Sequence, residues 1–233
     1  MRAAFRRWHI RLGWVIFVPL FFWLLSGFVM TLKPLSEVRS EALFSEPPPL
    51  PDLALMAARM PQTGKRPVVE AQLVQRADGP RWLVTFLDGG KRMADPYTGQ
   101  LLPPLNAEQT RSEISDRLTR SRSIVAIERV DRAYPPHEVR GRKVDWRVVL
   151  DDDTHVYVDA ESGEVVARRS NWWRFYDAFW RIHIFDYSGT DATDNPILIF
   201  LSALALVMTV MGAILLPRRF GRGSAQSRQQ PRP

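Results

Sequence analysis

Two uninterrupted apolar runs, one near each end, constrain this chain more than any other feature. Residues 12–32, LGWVIFVPLFFWLLSGFVMTL, and residues 196–216, PILIFLSALALVMTVMGAILL, each hold 21 residues without a charge. A helix needs about 20 apolar residues to cross the hydrocarbon core of a bilayer, so both are expected to span a membrane. Arg2, Arg6, Arg7 and Arg11 precede the first run, and Arg218, Arg219, Arg222, Arg228 and Arg232 follow the second; neither flank contains an acidic residue. Basic flanks face the cytoplasm, so both termini, 1–11 and the basic tail 217–233, are expected there, with residues 33–195 on the opposite side.

The formal net charge of +7 belongs to those two ends. Removing their nine arginines leaves 23 basic residues against 25 acidic ones, and a nucleic-acid binder loses its support. The first run is too long for a cleavable signal, and TLKPLSEVRS behind it offers no small-x-small cleavage site. The chain has no cysteine, which excludes disulfides, thiol redox chemistry and cysteine-based metal sites and is compatible with a bacterial periplasm.

Between the spans, 33–51 reads as a linker containing the stiff stretch SEPPPLPD. DLALMAARM reads as a short helix with Asp52 as its N-cap, ended by Pro61. Alternating strands follow, and they repeat at an offset of 64 residues. RWLVTFLDGGKRMADPYTGQLL (81–102) aligns without a gap on DWRVVLDDDTHVYVDAESGEVV (145–166), matching Trp82 to Trp146, Val84 to Val148, Asp88 to Asp152, Asp95 to Asp159 and Gly99 to Gly163. NAEQTRSEISDRLTRS, capped by Asn106, is a second helix. The expected units are 52–105 and 106–168, each a helix with an antiparallel meander ending in an Asp–Gly turn.

A helix and meander closing on D-P-Y-T-G or D-A-E-S-G resembles the PepSY domain, here in two copies. The flanking spans, with RRWHIRLGW opening the first, resemble the PepSY-associated transmembrane family. The resemblance implies an α+β periplasmic domain on a two-helix anchor in the bacterial inner membrane. It further implies an accessory or interaction subunit, in iron uptake or membrane electron transfer, contacting the bilayer and another membrane protein or a second copy. Some members are ferric-siderophore reductases holding b-type haem between transmembrane histidines, and others join protease propeptides. The alternatives are therefore a haem b electron-transfer subunit and a peptidase inhibitor acting in trans.

Carried over by residue, His9 matches the family's first-helix histidine and His183 a later one. They are expected at opposite membrane faces, about 30 Å apart, whereas two axial ligands of one iron need about 4 Å. Each would need its opposing ligand from another chain; the plainer reading leaves His9 beside Trp8 and headgroups. The segment 170–187, NWWRFYDAFWRIHIFDY at its centre, reads as an amphipathic interfacial helix, with Trp8, Trp14, Trp172, Trp173 and Trp180 as interface anchors. His155 and His137 read as solvated residues, and Asp151–Asp153 as a hairpin tip, since they lack the spacing of a calcium loop. No phosphate loop, HExxH motif or recognisable Ser/His/Asp context is present, so no catalytic residue is assigned. In the second span Ser202, Ala205, Thr209 and Gly212 form a small-residue stripe, expected to pack on Ser26 and Gly27 or on a partner.

Overall fold

The computed structural model describes residues 2–46, 48–52, 57–119, 121–186 and 195–216. Residues 53–56 of the helix expected at Asp52–Met60, residues 187–194 and the basic tail lie outside the described residues. The chain divides into two compact units, Met1–Phe28 with Arg181–Pro233, and Val29–Trp180.

The first unit holds the two apolar helices, α1 (Arg2–Met30) and the last helix, both long and apolar enough to cross a membrane. Helix α1 begins well before the uncharged run, so His9 and the basic flank are helical. Pro19 sits inside it and removes one main-chain donor. The helix stops at Met30, just ahead of Lys33–Pro34, where the residue before proline disfavours helical backbone.

The second unit is α+β. A short helix α2 (Leu35–Val38) and a 3-10 turn (Glu41–Leu43) lead to a bridge between Phe44 and Leu118. Strands β1 (Val68–Arg76), β2 (Gly79–Phe86) and β3 (Lys91–Ala94) form an antiparallel meander. Helix α3 (Ala107–Arg117) opens with a capping box, in which Asn106 Oδ1 accepts from Gln109 N and Gln109 Oε1 accepts from Asn106 N. Strands β4 (Ile124–Arg129), β5 (Trp146–Leu150), β6 (His155–Val158) and β7 (Val165–Arg169) form a second antiparallel sheet. Helix α4 (Asn171–His183) follows, and α5 (Pro196–Leu215) is the second apolar helix. Asn195 caps α5, accepting from Ile197 N at 2.9 Å, with Pro196 at its first position.

The repeat is exact in register over β2–β3 and β5–β6. Trp82 faces Ala94 and Trp146 faces Val158; Val84 faces Arg92 and Val148 faces Val156. The two closing turns match bond for bond. Asp95 Oδ1 accepts from Tyr97 N, Thr98 N and Thr98 Oγ1, as Asp159 Oδ1 does from Glu161 N, Ser162 N and Ser162 Oγ. Gly99 (φ 75°) and Gly163 (φ 65°) take the left-handed positions that close them. The first strands instead align at an offset of 56, Val68 with Ile124, each beside a bulge. Eight residues are thus inserted between β4 and β5.

That insertion creates a second core. On one face of the second sheet, Val148, Leu150, Val156 and Val158 pack with Ile114 of α3 and Leu43. On the other, Val130, Val139 and Val144 of the inserted loop cover Tyr157 and Ala167. Strand β6 is consequently buried on both sides. The first sheet has a smaller cluster, Val84, Phe86 and Ala94. The repeats also differ in their helices. Trp82 Nε1 donates to Arg59 O and Trp146 Nε1 to Leu105 O, so those two carbonyls are equivalent. After Leu105 comes α3, whereas 58–67 contains no helix.

Candidate functional site

In the first unit, α1 and α5 pack antiparallel. A Cβ added to Gly212 would stand 3.5 Å from His9 Cε1, and one on Gly13 would stand 3.5 Å from Met208 Cε. Each step of four up one helix is matched by four down the other. By that register Ser26 lies level with residue 195, beyond the stripe. Ser202 and Ala205 instead line an apolar cavity of about 120 Å³ with Ile16, Pro19, Leu20 and Trp23. Thr209 is exposed and its Oγ1 donates back to Ala205 O. Ser26 and Gly27 therefore do not receive the stripe; they receive His183.

His183 is held by three contacts. Its Nδ1 lies 3.1 Å from Ser26 Oγ and 3.1 Å from Trp23 O, and its ring stacks on Trp23 with centroids 5.0 Å apart. Ser26, fully buried, donates its own hydroxyl proton to Trp23 O at 2.8 Å. With Ser26 donating to Trp23 O, both groups facing Nδ1 are acceptors, an arrangement that favours the tautomer protonated at Nδ1. Gly27 makes the approach feasible, since a Cβ there would stand 3.2 Å from His183 Cε1. His9 sits elsewhere: Ser26 is 17 residues further along α1, about 25 Å at helical rise. His9 Nδ1 is buried without a hydrogen-bond partner among the described residues. The two histidines are not brought together.

The second unit contains a charged cluster that sequence reading missed. Glu138, in the inserted loop, accepts from Arg174 Nε (2.7 Å) on α4 and from Tyr157 OH (3.0 Å) on β6. His155 Nδ1 stands 3.2 Å from the same carboxylate, and Glu138 O accepts from Arg169 Nε at 2.7 Å. His155 is thus a half-buried member of a cluster, not the solvated strand residue its position suggested, because the inserted loop covers its face of the sheet. Burial alone would raise the Glu138 pKa, but the hydrogen bonds from Arg174 and Tyr157 outweigh it and hold the carboxyl below its usual range. Burial, then the Glu138 charge, pushes Tyr157 up to about 12. Burial, with Arg142 and Arg140 nearby, brings Arg169 down to about 10. The repeat was legible over 81–102 and 145–166; Glu138 lies outside that span, has no counterpart in the first copy and so carries no repeat signal.

Trp173 is buried, at 8% exposure, beneath the guanidinium of Arg169 at 4.0 Å. It is a packing anchor against the sheet rather than a headgroup residue. Trp172 and Trp180 are half-buried, while Trp8 and Trp14 are exposed on α1. His137 is exposed in its loop. Asp151 accepts from Ser123 Oγ, and Asp152 from Thr154 N, at the tip of the β5–β6 hairpin.

A buried ion pair joins the repeats. Arg76 Nη1 at the end of β1 pairs with Glu113 Oε1 of α3 at 3.0 Å, with side chains 8% and 6% exposed. Its Nη2 donates to Ser162 O in the second Asp–Gly turn. Nearby, Asp145 accepts from Arg132 Nε and Ala160 N.

A family model described as PepSY-associated TM region matches residues 1–219. The chain matches no curated protein and no solved structure.

Proposed function

We propose a function for this chain from the premise that it belongs to the PepSY-associated TM region family, whose model covers 1–219 of its 233 residues. It is a membrane-anchored PepSY protein, and we read it as an accessory, interaction subunit of a membrane complex. The membrane is the bacterial inner membrane, with both termini cytoplasmic and residues 33–195 periplasmic, as the arginine flanks favour. Iron uptake or membrane electron transfer is the setting.

The observation that carries this reading is the outer edge of β1. Among the described residues this nine-residue strand pairs only with β2, and Val68 and Val69 at its start are exposed. Such an edge offers main-chain donors and acceptors to an extended segment of a partner. The buried charges Glu113, Asp145 and Arg169 are meanwhile engaged in internal ties. A photo-crosslinker at Val69 of the full-length protein in intact cells should give one discrete adduct, absent when it is placed at Tyr134. Diffuse labelling of equal strength at both positions would overturn the reading.

A second reading, a haem b electron-transfer subunit acting on a ferric chelate, is favoured by His183. A metal-bound histidine commonly donates its other ring N–H to a carbonyl, and here Nδ1 faces Trp23 O at 3.1 Å. Bound haem would supply one-electron iron chemistry. His183 Nε2 is suited to hold the iron, and His9 of the same chain is too distant to oppose it, so the other ligand would come from a second chain. The spectrum of protein from haem-replete cells, oxidised and dithionite-reduced, tests this. A Soret band lost in His183→Ala or His9→Ala would support it, and a colourless preparation would remove it.

A further inference from the structure

Helix α4 has two faces of opposite character. At about 100° per residue, Trp172, Phe175, Phe179 and Ile182 fall within an arc of about 80°, and Trp173, Arg174 and Asp177 lie on the other side. The second face is engaged. Arg174 pairs with Glu138, Asp177 with Arg140, and Trp173 lies under Arg169. The first face is a row of rings, with centroids 5.0 Å apart for Trp172–Phe175 and 4.9 Å for Phe175–Phe179. Phe175 and Ile182 are 42% and 41% exposed. Rotating the helix to hide this row would break both ion pairs, so the rings are held away from the sheet.

We propose that this aromatic row is a lipid-binding surface lying in the headgroup–acyl boundary of the membrane. The argument is continuity with the lipid contact of the spans. Lys33, the first charge after the apolar run of α1, holds its Nζ 5.0 Å over the Trp172 ring at the start of α4. At the far end of α4, His183 lies on Trp23 and Ser26 inside that same run. A helix carrying aromatic side chains on one face, with a lysine amine at its edge, has the chemistry favoured at that depth.

The chain lacks cysteine, so single cysteines can be spin-labelled at Phe175, Ile182 and Tyr134, the last 83% exposed. The probe is the full-length protein in phosphatidylethanolamine–phosphatidylglycerol vesicles. Labels at 175 and 182 should lose accessibility to a water-soluble nickel chelate relative to Tyr134 while remaining accessible to oxygen. Nickel accessibility at 175 and 182 equal to that at 134 would overturn the proposal in favour of water. Loss of both reagents would overturn it in favour of a protein cover.

Discussion

At the scale of single residues, Gly27 and Glu113 make the clearest demands. A methyl group on Gly27 would press on the imidazole of His183 at 3.2 Å, and that ring is pinned by Ser26, Trp23 O and the Trp23 stack. Overpacking of this kind costs about 1–3 kcal/mol. Gly27→Ala should therefore lower the melting temperature of the detergent-solubilised protein. Gly13→Ala, which meets only the flexible end of Met208 at 3.5 Å, should leave it nearly unchanged. Glu113→Ala would strand Arg76 between the repeats, with both side chains over nine-tenths buried. Breaking one half of such a pair costs about 3–5 kcal/mol. Chemical denaturation should show that loss, whereas Glu37→Ala, which removes the exposed partner of Lys33, should cost less than about 1 kcal/mol.

At the scale of elements, the eight-residue insertion between β4 and β5 separates the two copies most. It supplies Val130, Val139 and Val144 to a core that the first sheet lacks, and it brings Glu138 to Tyr157 and Arg174. The folded-state pKa of Glu138 lies below its ordinary value. A depressed carboxyl stabilises the fold above its unfolded pKa and loses that contribution as pH falls through the folded one. Stability of the middle domain should therefore decline below the ordinary carboxylate range. In Glu138→Gln that decline should be shallower, as followed by thermal denaturation across an acid pH series. Both bulged first strands, at Val68/Glu70 and Ile124/Ala126, show that the copies share a design despite different loops. The gapless alignment began at β2 and could not reveal this, because an insertion between β4 and β5 shifts the first strand out of the 64-residue frame.

At the scale of the whole molecule, two apolar helices bracket an α+β domain whose repeats are locked by Arg76, Glu113 and the second Asp–Gly turn. An even number of spans between basic flanks requires the two ends to share a compartment. A reporter fused after Pro233 should be active on the cytoplasmic side, and periplasmic activity there would refute the orientation read from the arginines.

The chain's local chemistry alone determined the two spans, the Asn106 cap, the strand alternation and the paired Asp–Gly turns. Each of these depends on residues a few positions apart, where hydrogen-bond reach and periodicity act directly. What the tertiary structure decided are contacts between distant segments. The antiparallel register of α1 and α5 set His9 against Gly212 and left Ser26 for His183, 157 residues away in sequence. The inserted loop turned His155 from a surface strand residue into part of a half-buried charged cluster. Periodicity cannot report which distant surface covers a face. That is settled when packing excludes water from one partner rather than another, and with it the burial and charge of every group beneath.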